Sequence, residues 1–409
     1  MLRSRNLLGM VSLVLGLGGF GVEIGSLPNV AADARASRSL RVLVLQGTPY
    51  ERGLTHGRAL KDDIHRHVRL WEDDVVRRYG LTAKDFVRRF REATDFESAI
   101  RRWTPDLLDE IRGIADGSGL DFETAFVFQF MDEQWVQGPS LAREHCSCIG
   151  FAARGDDPTQ VAQNMDVESF RDGFQVVLHI KYPESTRECF VLSGAGLIGL
   201  NGMNSRSVGV CVNTLPLEGC RDGLPVNCVI RGVLQRGTLD EASDFLRRIK
   251  HASGQNYLLG GVDRIDELEC SANKVVRYES RRRDAVWHTN HPLINDDLSA
   301  RFRALDEVAR ADRLANSRER FRCLQDRLDR EVIGPRIDLI KSTLSSKDSK
   351  EHPVCVSLGA GEHPNKLGFF SFACTIMELS DRPRLHVAPG PPDSTPFGVL
   401  EFVKGPEPR

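Results

Sequence analysis

The chain has 409 residues, 41% of them apolar and 27% charged, a composition that belongs to a globular protein with a sizeable core and excludes disordered and collagen-like chains. Its 55 Lys and Arg stand against 57 Asp and Glu, a formal charge of -2. No global field is available to hold nucleic acid or an anionic membrane surface, so any partner is recognised locally.

Residues 1–36 read as an export signal: Arg3 and Arg5, an apolar run from Leu7 to Val22, then small residues from Ala31 to Ala36 near a cleavage point. As a helix, those 16 apolar-run residues span roughly 24 Å, short of the roughly 30 Å hydrocarbon core, and five of them are Gly. A stable membrane span is therefore not expected, and the expected location is periplasmic or secreted. Removing the segment takes away three Arg, one Glu and one Asp, leaving 52 basic against 55 acidic residues. An oxidising compartment would let cysteines pair. However, Cys189, Cys211, Cys228 and Cys374 lie in apolar segments, where cysteine behaves as a small hydrophobe. Any single bridge, such as Cys211 with Cys220, stays open.

From Glu51 to about Met131 the spacing predicts helices, with Leu60, Ile64, Val68, Trp71 and Val75 on one face and Leu107, Leu108, Ile111 and Ile114 on another. Thr104-Pro105-Asp106 reads as a helix start with Thr104 as N-cap. After Leu141 short apolar runs predict strands at 149–153, 175–180, 189–192 and 208–212. Helices follow at 225–235 and 239–249, the second capped by Thr238, then strands at 257–262, 268–271 and 275–278. Helices at 305–328 and 337–344 precede strands at 354–358, 369–379 and 385–387, and Gly390-Pro391-Pro392 opens a loose tail. Hairpins grouped with helices, without regular βαβ alternation, predict a layered α+β body.

Cys146 sits where the helical region hands over to the first of these strands, in Glu144-His145-Cys146-Ser147-Cys148. Taken alone it reads either as an exposed reactive thiol or as a semi-buried structural one. His288 and His291 are three apart, a spacing that can share a metal, but no HExxH or CxxC accompanies them and no metal is expected. Gly194-Ala195-Gly196 and Gly359-Ala360-Gly361 lack the Lys-Ser/Thr of a phosphate loop and read as strand turns. No cofactor is expected.

Four segments are more specific together than apart: Gly47-Thr48-Pro49-Tyr50-Glu51-Arg52-Gly53 with His56-Gly57, the Cys146 segment, Gln163-Asn164-Met165-Asp166, and His288-Thr289-Asn290-His291. In order and approximate spacing, over residues 42 to 390, they resemble the penicillin acyltransferase family of Ntn (N-terminal-nucleophile) hydrolases. The resemblance implies a four-layer αββα sandwich with an α-rich N-terminal region. It also implies a precursor that cuts itself before Cys146, which together with the export segment divides the chain into residues 1–36, 37–145 and 146–409. Cys146 would be the nucleophile and its freed α-amine the base. Such an amine has a reference pKa of about 7.7 to 8.0, close to the roughly 8.5 of a thiol, so it can take and return the thiol proton near neutral pH.

On the same resemblance Asp166 would orient the amine, Asn290 would donate to the oxyanion, and Ser271 would support the site. The chain departs from the family at His145, where the penicillin enzyme has glycine, at Met165 in place of tryptophan, and at Cys148, the alternative nucleophile. The expected partner is a small-molecule acyl amide or a peptide, with acyl-coenzyme A as a further candidate; hydrolysis and acyl transfer both stay open. Two other readings compete: a non-catalytic binding or structural protein on the same fold, held uncut by His145, and a papain-like protease, although no histidine carries that family's surrounding motif.

Overall fold

The computed structural model describes residues 39–137, 146–280, 282, 284–329, 335–358 and 368–402. The export segment, His145 and the Gly359-Ala360-Gly361 turn lie outside the described residues. Strand β1 (Val42–Leu45) leads into helices α1 (Pro49–Ala59), α2 (Lys61–Tyr79), α3 (Ala83–Ala93), α4 (Phe96–Trp103), α5 (Asp106–Ser118), α6 (Phe122–Phe128) and α7 (Met131–Gln137). Next come β2 (Ser147–Phe151), β3 (Thr159–Glu168), β4 (Gln175–Lys181), β5 (Glu188–Gly194), β6 (Asn201–Asn204) and β7 (Gly209–Thr214). Helices α8 (Val226–Leu234) and α9 (Leu239–Arg248) precede β8 (Gln255–Gly260), β9 (Ile265–Cys270), β10 (Val275–Tyr278) and β11 (Ala285–His288). The chain closes with α10 (Ala300–Arg303), α11 (Glu307–Leu328), α12 (Arg336–Leu344), β12 (Phe369–Leu379), β13 (Arg384–Ala388) and β14 (Gly398–Glu401).

Two sheets carry the architecture. The larger runs β1-β4-β5-β6-β7-β8-β9-β10 and the smaller β11-β2-β3-β12-β13-β14. Neighbours are antiparallel except β1, which lies parallel to β4. The two inner faces meet through Cys148, Val161, Val177, Met203, Cys211 and Met377. Helices α8 and α9 cover the outer face of the larger sheet, and α11 and α12 cover the smaller. This is the expected α+β, four-layer αββα sandwich, read directly from which element packs on which. The N-terminal helices share one apolar core with α8 and the larger sheet, through Trp71, Phe126, Ile230 and Val191 among others.

The opening motif builds this scaffold. Thr48 accepts from the Glu51 backbone while Glu51 accepts from Thr48, with Pro49 in the first turn of α1, a capping box that satisfies two orphan donors at once. Gly53 and Gly57 of α1 face Gly113 and Gly117 of α5; a methyl group on Gly53 would lie 1.9 Å from the Glu110 carbonyl oxygen. Only hydrogen fits there. Behind that contact Glu110 is fully buried between Arg231 (2.6 Å) and Arg52 (3.3 Å), tying α5 to α8 and α1.

Several sequence expectations need correction. Thr104 is not a side-chain cap: Pro105 itself takes the cap position, and the buried Thr104 hydroxyl has no partner among the described residues. The 354–358 segment is not a strand, although Val356 hydrogen-bonds Ser371 at both backbone and side chain. The segment after Gly390 is no loose tail, because β14 pairs with β13. Strand β3 was hidden because its Gln160, Gln163, Asn164 and Asp166 break the apolar run, yet all are buried. All ten cysteines are free, so Cys211 and Cys220 are not bridged.

Candidate active site

Cys146 immediately precedes β2, whose pairing with β3 sets Ser147 opposite Asn164. That register brings the Cys146 Sγ to 3.8 Å from both Met165 Sδ and the Asp166 carbonyl oxygen. Asp166 lies inside β3, opposite Ser371 of β12, rather than in a strand-end turn. It is 2% exposed, and neither carboxylate oxygen has a hydrogen-bond partner among the described residues. Burial pushes its pKa up to about 7, against the pull of the Arg320 charge. Burial, and then the Asp166 charge, also drive the Cys146 thiol far above its ordinary value. As an internal residue, Cys146 is a poor nucleophile.

Asn290 follows β11 and is held from three sides. Its Nδ2 donates to the Thr214 carbonyl (3.1 Å), its backbone N–H donates to Ser317 Oγ (2.7 Å), and its Oδ1 accepts from Arg320 Nη2 (2.7 Å). The other Arg320 terminal nitrogen donates to the Cys146 carbonyl (2.7 Å) and to Ser147 Oγ (2.9 Å). One planar guanidinium thus ties the cysteine strand to the asparagine loop, a task that its fork geometry permits and a lysine ammonium does not.

The loop itself hangs on Glu269, which accepts from the backbones of Leu293 (2.5 Å), Ile294 (3.1 Å) and Asn295 (2.6 Å) and meets His288 Nε2 at 2.9 Å. His288 Nδ1 faces the Thr289 carbonyl at 2.7 Å, so both ring nitrogens point at acceptors and the imidazolium form satisfies both. Burial opposes that charge, but the Glu269 hydrogen bond and the Glu267 and Glu269 charges outweigh it and raise the pKa. His291 goes the other way, pushed down to about 3 by burial and by the neighbouring His288, Arg318 and Arg320 charges.

The structure brings Cys146 and Asp166 together directly and joins Asn290 to them through Arg320. Ser271 stands apart, in the turn after β9, donating to Asp297 Oδ2 (2.6 Å) and accepting from the Lys274 backbone (3.0 Å). It anchors the far end of the asparagine loop. Cys148, the alternative nucleophile, lies in the inter-sheet core with its sulfur toward the Val212 carbonyl. Arg320 and the role of Glu269 were missed by sequence reading. Arg320 falls on the buried stripe of α11 with Ser317, Leu324 and Leu328, a cation at a core position; Glu269 stands two residues before Ser271.

Two spaces adjoin the site. A cavity of about 30 Å³ is lined by Cys146, Met165, Asp166, Asp132 and Thr214. A groove of about 820 Å³ is lined by Asn290 and Ser317 together with Leu217, Phe302 and Leu314. Thr214 belongs to the first and Asn290 to the second, so their hydrogen bond lies between thiol and groove. Among the described residues no group of three or more His, Cys, Asp or Glu is arranged to hold a metal ion, and no helix is long and apolar enough to cross a membrane.

Residues 153–342 match the family model for acyl-coenzyme A:6-aminopenicillanic acid acyl-transferase, a span that includes Asp166, Ser271, Asn290 and Arg320 and begins seven residues after Cys146. The chain is 26% identical over 257 residues to the acyl-coenzyme A:6-aminopenicillanic-acid-acyltransferase 40 kDa form of Emericella nidulans, covering 62% of this chain and 70% of that one. It is 27% identical over 247 residues to protein dcd1A of Dictyostelium discoideum, covering 52% of this chain and 53% of that one. Solved structures with some likeness include penicillin V acylase from Agrobacterium tumefaciens, at TM-score 0.39 and 16% identity over 60% of this chain and 83% of that one. Another is the Caenorhabditis elegans N-acylethanolamine-hydrolyzing acid amidase ortholog, at TM-score 0.39 and 15% identity over 57% and 92%. Over the matched residues, this chain is similar to the acyl-coenzyme A:6-aminopenicillanic acid acyl-transferase family.

Proposed function

We propose that this chain is a self-processing, N-terminal-cysteine enzyme that acts on carbon-nitrogen amide bonds through a thioester acyl-enzyme. The observation that carries the reading is that Cys146, whose sulfur lies 3.8 Å from the Asp166 backbone carbonyl oxygen, shares a cavity with the Asp166 side chain, a buried carboxylate whose two oxygens have no hydrogen-bond partner among the described residues. Such a group is costly unless something positive joins it. A freed α-ammonium on Cys146 is the group that fits.

In the processing step, the Cys146 thiol attacks the carbonyl carbon of His145. The C–S bond forms, the C–N bond breaks, and the thiol proton passes to the departing α-nitrogen. Water then hydrolyses the thioester, leaving a carboxylate on His145 and a free thiol and amine on Cys146. The cut reverses the electrostatics of the site. Before it, Asp166 disfavours the thiolate; after it, the ammonium satisfies Asp166, and in its neutral form the amine takes the thiol proton during attack on the substrate amide. Asn290, presented by Arg320, donates to the oxyanion, an interaction typically worth about 2.7 to 4 kcal/mol of barrier.

The products are the residue 37–145 and 146–409 segments, after an export signal over residues 1–36 directs the chain to the periplasm or outside the cell. N-terminal sequencing of the exported protein checks that location. The substrate is a small acyl amide or peptide, with water or a second amine or thiol as acceptor. The test is intact-mass analysis together with release of amine from a panel of acyl amides. Two chains with a mass step at the His145-Cys146 bond, and loss of both cut and activity in Cys146→Ala, are expected. A single uncut chain that still turns over amides, or an active Cys146→Ala variant, overturns the reading, and an uncut, inactive chain makes this a binding protein on the same frame.

A further inference from the structure

Asp132 is a second carboxylate on the cavity that holds Cys146, and neither the motifs nor the family residues account for it. It lies on α7, ahead of the proposed cut, and is buried. Its Oδ2 accepts from Thr214 Oγ1 (2.6 Å) and from Gln255 Nε2 (2.7 Å). The Thr214 carbonyl in turn accepts from Asn290 Nδ2 (3.1 Å), and Arg320 returns from Asn290 Oδ1 to the Cys146 carbonyl. Asp132, Thr214, Asn290, Arg320 and Cys146 are thus linked by one chain of hydrogen bonds, and three of them, Asp132, Thr214 and Cys146, line a space with room for one or two waters.

We infer that Asp132 is a positioning residue of the active site: it fixes the Asn290 amide through Thr214 and, with Asp166, forms the anionic wall that receives the Cys146 α-ammonium. This rests on the proposed self-processing. The charged groups that face Cys146 are Asp166 from β3, Asp132 from α7 and Arg320 from α11. Asp132 in turn lies near the charges of Glu168 and Arg171 and beside Glu133. A carboxylate beside an amine favours its ammonium form, so Asp132 raises the pH at which the amine becomes a free base. Other residues ahead of the cut line the same two spaces: Gln129 and Met131 the cavity, and Arg89, Glu92 and Ala93 of α3 the large groove.

The experiment compares wild type, Asp132→Asn and Thr214→Val by intact mass, gel filtration of the cut protein, and kcat and KM against pH on the acyl amide that wild type cleaves best. Asparagine keeps an acceptor for Thr214 and Gln255 but removes the charge. Asp132→Asn is expected to be cut, to lose about ten-fold or more in kcat with little change in KM, and to move the ascending limb of its pH profile by about half a unit to one unit toward lower pH. Thr214→Val is expected to lower kcat without moving that limb, and the two wild-type chains are expected to elute together. Wild-type kcat and an unmoved limb in Asp132→Asn overturn the inference, as does wild-type kcat in Thr214→Val, which decides the matter if the first variant does not fold. Full activity in a 146–409 chain separated from its partner segment overturns it as well. In all three cases a cut, active wild type leaves the self-processing reading standing, whereas a wild type that is not cut overturns both.

Discussion

Arg320 Nη2 lies 2.7 Å from Asn290 Oδ1, and this one contact decides which half of the asparagine amide is left to donate. With the oxygen taken by a guanidinium that is fully buried, the Nδ2 side is left to donate. In the uncut chain it donates to Thr214. An oxyanion formed beside Cys146 would compete for that donor.

Replacing Arg320 by lysine keeps the charge but loses the fork. A single ammonium cannot serve the Cys146 carbonyl, Ser147 and Asn290 in one plane, so kcat is expected to fall about 10²-fold with a smaller change in KM. Arg320→Met should also cost about 3 kcal/mol of stability, because it strands buried acceptors. Steady-state kinetics and urea unfolding of the two variants separate these effects; wild-type kcat in Arg320→Lys would remove the residue from the site.

Asp166 predicts a pH dependence of the uncut chain. Its folded pKa of about 7 stands above the ordinary value of 3.8, so its contribution to stability is fully present below about pH 4 and is lost as pH rises through about 7. Placed in a processing-dead Cys146→Ala background, Asp166→Asn should therefore stabilise the precursor at pH 8 by up to roughly 4 kcal/mol and change little at pH 4. Denaturant midpoints of the two proteins across that range give the answer, and a constant offset at all pH values would contradict it.

His288 works in a different window. Its folded pKa is raised above the ordinary 6.5 by Glu269 and Glu267, in spite of burial. Stability from the His288–Glu269 pair is thus full below about pH 6.5 and is lost as pH rises through the higher folded value. The loop carrying Asn290 should loosen on the alkaline side. Hydrogen exchange at Leu293 and Asn295, whose amides donate to Glu269, should accelerate there beyond the ordinary pH dependence. Glu269→Gln should show that acceleration already at pH 6.

The α1–α5 contact predicts a purely structural defect. Gly113→Ala would set a methyl group 2.2 Å from the Tyr50 carbonyl oxygen, and the helices must part. Overpacking of this kind typically costs about 1 to 3 kcal/mol. A lowered Tm with unchanged kcat in the protein that remains folded is expected, and a thermal melt with kinetics below the transition is sufficient to check it.

Cys148 and Cys146 are two residues apart, but the fold separates their fates. Cys148→Ala should still be cut and active, losing only the packing of a small buried side chain between the sheets, about 1 kcal/mol. A processing defect as complete as that of Cys146→Ala would mean that the wrong sulfur has been assigned.

Much of this fold was legible because helix and strand periods leave direct marks in sequence. The spacing of Trp71 with Ile64 and Val68, the Thr238 cap and the apolar run at 175–180 each correspond to the element expected. Strand β3 was not, since buried polar residues that find partners across a sheet or a neighbouring helix look, in one dimension, like a solvent-facing loop. Asn164 illustrates this: its amide donates to carbonyls at Leu344 and Val354, about 180 residues away in the chain. Strand β1 was missed for a related reason, as its four residues are held by parallel pairing to β4 rather than by a hairpin of their own.

Sequence alone singled out Cys146, Asp166 and Asn290 as candidate site residues through ordered motifs, and with them the layered α+β class. Tertiary structure decided which side chains share a space. It placed Ser271 behind the loop and Cys148 between the sheets, and it brought Arg320 and Asp132 to the site from elements that no motif marks. The reason is physical: a short-range pattern records local backbone preference and burial, whereas a hydrogen bond or a shared charge depends on distances that exist only once both sheets have closed over one core.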